Sequence, residues 1–200
     1  MFFSLFPTPV SVVNIERKLS KTELNFAIKN GHKKLTYSNT GNLTSIERYA
    51  LNNPELNDIR LFIEKQLLVY IDKVLKPKNR VEFFITNSWL NYNKPNDYHH
   101  RHYHTNSILS GVFYFVTGEK DSIAFYAPRE SEINFEPTHM DFYNHRTFEL
   151  EAKPGNLIIF PSHLNHSVPK NKSKKTRISL SFNTFCKGTF DTNATTGLVL

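Results

Sequence analysis

His102 and His104 are separated by one residue, His166 follows far downstream, and Arg177 comes soon after it on a strand-like stretch. On an extended strand alternate side chains share a face, so His102 and His104 can aim two imidazoles at one ion. A third ligand returning from a distant strand completes one face of that ion. The opposite face stays free for substrate and oxygen, as in non-heme iron centres. Arg177 would then lie close enough to hold an anionic co-substrate. Arg177 and Ser179 alternate onto one side of their strand and can hold a carboxylate jointly, because a guanidinium offers a planar pair of donors matched to carboxylate oxygens. Ile178, Leu180 and Phe182 alternate onto the other side. A lone His-x-His reads more readily as surface histidines, and an Arg after a basic run as a surface charge. The order of all four residues favours a site. His99, His100 and His163 are fallback ligands, expected beside the metal or facing solvent.

Positioning these residues takes a scaffold rich in strands. Val10 to Ile15 reads as a first strand. Ser20 with Glu23 forms a capping box for a helix that Gly31 would end. Residues 32 to 52 read as irregular, with turn signals from Asn39 to Asn42. A second helix is expected from Asn53, with Pro54 at its first position and Pro77 past its end. Leu56, Ile59, Phe62, Ile63, Leu67, Tyr70, Ile71 and Val74 recur at helical spacing, which suits a helix packed across a sheet. Then come strand-like runs at Val81–Tyr92, Ser107–Thr117, Ser122–Tyr126, Thr147–Ala152, Asn156–Phe160 and Thr176–Phe185, bounded by Pro, Gly and Asn. Many short strands with polar turns suggest a sandwich or barrel. Pro128 to Arg146 lacks periodicity and reads as a loop over the open end that helps select the substrate. Trp89 reads as core or pocket wall. Asn91 and Asn183 could touch the co-substrate or simply close turns.

Composition bounds the rest. Two hundred residues, 39% hydrophobic and 14% aromatic, suit one folded domain over 1–200 and exclude wholesale disorder. A net charge of +7 favours an acidic partner without naming one. The densest basic run, Lys170 to Arg177, reads as a solvated hairpin tip more readily than as a nucleic-acid contact. One cysteine, Cys186, excludes an intrachain disulfide and fits a reducing cytoplasm. No apolar run approaches the roughly 18 residues of a membrane span, and the N-terminus lacks the marks of a signal peptide. There is no phosphate-binding glycine loop and no zinc-finger spacing.

Trp89-Leu90-Asn91, then Tyr98 to His104, then Leu109 to Tyr114 (LSGVFY) resemble the H-x-H…SGvyY signature of the 2-oxoglutarate/Fe(II) oxygenase family. Pro154 to Ser162 (PGNLIIFPS) followed by His166 resembles its PGdlvlFPs…H, and Arg177 to Asn183 (RISLSFN) its closing RiSisFN. The opening Leu5 to Val10 is similar as well, so the resemblance covers most of the chain. It implies an all-β core with flanking helices, a double-stranded β-helix or cupin-like jelly roll. It implies an Fe(II)-dependent dioxygenase with His102, His104 and His166 on the metal. Arg177, with Ser179 and Tyr114, would hold the distal carboxylate of 2-oxoglutarate, and O2 would be the oxidant. The wider superfamily uses two histidines and one carboxylate; here position 104 is histidine, and three neutral ligands leave the iron more positive. Two rival readings therefore stand beside the oxygenase: a non-catalytic metal-binding jelly-roll module, and a nucleic-acid-modifying oxygenase suggested by the basic charge.

Overall fold

In the computed structural model, which describes residues 5–30, 35–39, 41–128, 136–141, 143–191 and 197–200, the first helix starts where its capping box puts it. The Ser20 hydroxyl accepts from the Glu23 N–H at 3.1 Å, and the Glu23 carboxylate accepts from the Ser20 N–H at 2.6 Å. Two N–H groups that the helix cannot bond internally are thereby satisfied. Gly31 lies outside the described residues, as do Phe135 and Phe142 of the long loop.

In chain order the elements are β1 (Ser11–Asn14), α1 (Lys21–Asn30), β2 (Leu35–Asn39), β3 (Asn42–Ser45), α2 (Asn57–Tyr70), β4 (Val81–Asn93), β5 (His99–His102), β6 (Leu109–Val116), β7 (Ser122–Tyr126), β8 (Thr147–Glu151), β9 (Asn156–Pro161), β10 (His166–Val168), β11 (Arg177–Asp191) and β12 (Leu198–Val199). They form two antiparallel sheets. The wide one has the order β1-β9-β6-β11-β4-β3-β2, with β12 against β11; the narrow one has the order β5-β10-β7-β8. No described helix is long and apolar enough to cross a membrane.

Strand alternation divides the core into two layers. Phe113 and Phe115 of β6, Leu157 and Ile159 of β9, and Ile178, Leu180 and Phe182 of β11 pack with Ile59, Ile63, Leu67 and Tyr70 of α2. The residues between them, Val112, Tyr114, Ile158 and Phe160, face the narrow sheet and meet its Ile123 and Phe125. On β11 the same alternation turns Arg177, Ser179 and Ser181 inward between the sheets, where they line a cavity. On the opposite, α2-facing layer, Gly111 of β6 makes room for the Phe182 ring of β11. A Cβ on Gly111 would lie 2.3 Å from the Phe182 ring, so even alanine would overpack the strand pair.

Three sequence expectations are corrected. Residues 32–52 are not wholly irregular: β2 and β3 lie within them and extend the wide sheet past β4, with Gly41 at φ +97° in the turn between. Their polar composition hid them, since no apolar alternation marks the pair. The second helix is preceded by a 3-10 turn at Pro54–Leu56 and ends through a π-helical turn at Ile71–Leu75. Lys170–Arg177 is not a hairpin tip, because β10 and β11 belong to different sheets and the run is the crossover between them. Its lysines are exposed, but Asn171 is buried and ties the crossover down. The Asn171 side chain donates to Asn93 O at 2.8 Å and Lys175 O at 2.9 Å, and its backbone exchanges bonds with Asn96 and Asp97.

Candidate metal and co-substrate site

β10 is the central piece of the site. It pairs with β5 in a register that puts His166 opposite His102, and with β7 in one that puts His166 opposite Phe125. The His102 and His166 rings are 4.3 Å apart. His104 does not share the strand with His102, as the alternation argument assumed. β5 stops at His102, and His104 is placed by its own N–H donating to Ser162 O at 2.9 Å. Its ring stacks on Trp89 at 5.9 Å and lies 5.1 Å from the His166 ring. The outcome is still convergence: one nitrogen from each of His102, His104 and His166 lies within 4.8 Å of the others.

Hydrogen bonds select which nitrogen each ring offers. His102 Nδ1 meets His100 O at 2.8 Å, His166 Nδ1 meets Leu164 O at 2.9 Å, and His104 Nδ1 meets Asn183 Oδ1 at 2.6 Å. All three partners are oxygen acceptors. Each Nδ1 therefore carries the proton and donates, and each Nε2 keeps a lone pair for a metal. The Ser110 hydroxyl donates to the same Asn183 oxygen at 2.8 Å, which supports its assignment as the acceptor. Ser110 is itself bonded to Ser162, and Ser162 to Ser107, at 2.8 and 2.7 Å. The sequence leaves Asn183 as a co-substrate contact or a turn-closing residue; in the structure its side chain orients His104. An inward-facing polar residue on β11 was the available signal, but its partner was not. Asn183→Ala should weaken metal binding by about 10–100-fold, the usual cost of losing a ligand's outer hydrogen bond. Metal titration of parent and variant checks this, and equal affinities would remove the role.

The imidazoles are held neutral. Burial, then the neighbouring His102, pushes His166 down to about 3 despite its bond to Leu164 O. Burial likewise takes His102 to about 4, and lowers His104 against the opposing effect of Asn183. Neutral rings are what metal coordination requires. The sign for stability follows. Histidines of the unfolded chain take up protons near 6.5 while these do not, so the metal-free protein should be most stable above that pH. Its stability should fall as pH drops below about 6.5 and level off near the folded values. Urea midpoints of metal-free protein between pH 7 and 4 should show that decline, more shallowly in His166→Gln. A flat profile would contradict it.

Arg177 opens β11 opposite Asn93 and is only 2% exposed. Its Nη1 donates to Ser122 O of β7 at 2.8 Å, its Nη2 reaches the Tyr114 hydroxyl at 3.4 Å, and its guanidinium lies 5.0 Å from the Tyr114 ring centre. Tyr114 stands behind Arg177 and is fully buried. Ser179 pairs with both Tyr114 and Asn91 across the wide sheet. Asn91 accepts from Trp89 Nε1 at 3.2 Å and donates to Ser181 at 2.9 Å. A narrow cavity of about 40 Å3 is lined by the three histidines and by Arg177, Ser179, Asn91 and Trp89. The metal-type and carboxylate-type groups thus share one cavity. Among the described residues, buried side-chain atoms without a hydrogen-bond partner include Arg177 Nε, Asn93 Nδ2 and Asn42 Oδ1, and all three residues line this cavity. Unpaired buried polar atoms are costly, and a polar ligand would supply partners here. His163 is exposed and takes no part, whereas His99 forms part of the wall. A larger groove of about 460 Å3 lies between α2 and the first half of β4, away from the histidines.

Residues 87–183 match the family described as "Putative 2OG-Fe(II) oxygenase". No curated protein matches the chain. Among solved structures, a Pseudomonas putida prolyl-4-hydroxylase is 16% identical, covers 88% of this chain and 92% of its own, and has a TM-score of 0.57. A viral collagen prolyl hydroxylase from Paramecium Bursaria Chlorella virus-1, in its 2OG complex, is 14% identical over 88% and 94%, with a TM-score of 0.54. HygX from Streptomyces hygroscopicus, with nickel, 2-oxoglutarate and hygromycin B bound, is 10% identical over 88% and 82%, with a TM-score of 0.56. At such identities the likeness establishes the jelly-roll fold.

Proposed function

We propose that this chain, which belongs to the 2-oxoglutarate/Fe(II) oxygenase family through residues 87–183, holds Fe(II) on His102, His104 and His166 and anchors 2-oxoglutarate on Arg177. The observation that carries the assignment is the single cavity: three imidazoles with free Nε2 atoms and a buried guanidinium with an unpaired Nε both open onto it.

When bound, Fe(II) supplies coupled reaction of O2 with 2-oxoglutarate, giving succinate and CO2 as one oxygen atom enters a C–H bond of the second substrate. The chain's own residues set this up. His100 O, Leu164 O and Asn183 hold the three rings in one tautomer. Arg177 pairs with the distal carboxylate, and Ser179 and Asn91 are the neighbouring polar groups of the wall. Tyr114 holds the guanidinium from behind, and Asn93 offers a second buried donor. Phe160 and Ile123 keep the inner wall apolar and dry, which strengthens every charge contact made there. Trp89 and His99 are half-buried and form part of the wall toward the outside.

The three-histidine set carries no charge of its own, so the dianionic co-substrate balances the metal. His104→Asp should retain Fe(II), because it restores the commoner ligand set. Iron content of the purified variant checks this; loss as complete as in His166→Ala would show that a carboxylate cannot replace the imidazole at this position. The proposal as a whole is tested by anaerobic titration with Fe(II) and 2-oxoglutarate, reading the visible charge-transfer band of the chelate, followed by succinate release on admitting air. A band without succinate would favour a metal-binding module that does not turn over. No band would overturn the site assignment.

A further inference from the structure

Two imidazoles near the site are left over by that function. His99 and His100 precede His102 on β5, and one nitrogen from each of His99, His100 and His102 lies within 4.8 Å of the others. The His99 and His102 rings are stacked at 4.0 Å, His99 and His100 are 5.1 Å apart, and His100 and His102 are 5.3 Å apart. His100 is exposed and His99 half-buried, so the group runs from the surface to the cavity wall. The next residue, Arg101, turns away, its guanidinium 4.3 Å from the Tyr126 ring centre. Its charge is therefore directed at an aromatic face rather than at the imidazoles.

We propose that His99, His100 and His102 form a second, outer metal site, selective for late first-row divalent ions such as Ni(II), Cu(II) or Zn(II), that competes with the inner centre for His102. Imidazole suits these ions, and affinity for a given nitrogen set rises from Fe(II) through Ni(II) to Cu(II). Competition follows from the tautomer. His102 Nδ1 is tied to His100 O at 2.8 Å, so only Nε2 is available, and it can serve one ion at a time. An ion in the outer site takes His102 from His104 and His166 and leaves the inner centre with two ligands. The outer site thus makes the protein sensitive to the wrong metal: excess Ni(II) or Zn(II) expels Fe(II) by drawing His102 outward.

The test is calorimetric titration with Ni(II) alone and needs no turnover. The parent should take one Ni(II) per chain, since the sites exclude each other. His166→Ala, with the inner centre broken, should still take one. His166→Ala/His100→Ala should bind it more weakly by at least the roughly tenfold that loss of a mere supporting hydrogen bond costs a metal site. His166→Ala/His100→Gln guards against a change in β5 itself. Loss of all Ni(II) binding in His166→Ala alone would overturn the proposal, as would residual binding indifferent to His100, or two ions per parent chain. Failure of the oxygenase reading would show elsewhere, in the missing chelate band, and leaves these titrations unaffected.

Discussion

His166→Ala should purify with its fold intact and without Fe(II). His166 is buried against Phe160 and Phe125, with ring centres 4.7 and 6.1 Å away, and its strand is paired on both sides. The backbone that places it is thus held by two neighbours, independently of the side chain. The lost ring leaves a small cavity, while the loss of its Nε2 leaves two imidazoles facing the metal. That change exceeds the roughly 10–100-fold penalty for removing a ligand's outer hydrogen bond alone. Iron stoichiometry, alongside a circular dichroism spectrum matching the parent's, is the check. Parental iron content in a folded His166→Ala would end the assignment of this residue, and with it the three-histidine centre.

Arg177→Ala should weaken 2-oxoglutarate binding by about 2–5 kcal/mol, the range for removing one partner of a buried, hydrogen-bonded charge pair. That corresponds to about thirtyfold or more in Kd. Fe(II) binding should hardly change, because the Arg177 guanidinium bonds to Ser122 and Tyr114 rather than to the ligand nitrogens. Arg177→Lys separates charge from geometry. It keeps the cation but loses the planar fork, and should recover only part of the affinity. Titrating 2-oxoglutarate into Fe(II)-loaded protein and following the chelate band reads both variants. An Arg177→Ala protein with the parent's affinity would exclude the anchoring role.

Features set by local pattern were readable in advance. The Ser20–Glu23 box, the alternation of Ile178, Leu180 and Phe182 against Arg177 and Ser179, and the apolar stripe of α2 all depend on residues a few positions apart. What depended on distant partners was not. Alternation alone makes His104 a strand neighbour of His102, yet its place comes from Ser162, on a segment reached only after four further strands. β2 and β3 carry no apolar alternation in sequence, and β3 is buried on both faces with mostly polar side chains. The run from Lys170 to Arg177 looked like a turn between paired strands because nothing in its composition tells a hairpin from a crossover. The histidine trio was found from spacing and resemblance, but the nitrogen each ring offers could be read only from the oxygens that face the others.

The crossover between β10 and β11 separates the proposed site into two mechanical halves. His102 and His166 ride on the narrow sheet, Arg177 and Ser179 on the wide one, and the Arg177 bond to Ser122 O already spans the gap. A co-substrate joined to the metal at one end and to Arg177 at the other becomes a crosslink between the sheets, absent from the unfolded chain. Mass action then converts occupancy into resistance to unfolding: saturation at about 100 times Kd adds about 2.7 kcal/mol. Metal and 2-oxoglutarate together should raise the melting temperature more than either alone. A thermal-shift screen of dicarboxylates of graded length would then act as a ruler for the distance between the two sheets, with the best-fitting chain giving the largest shift.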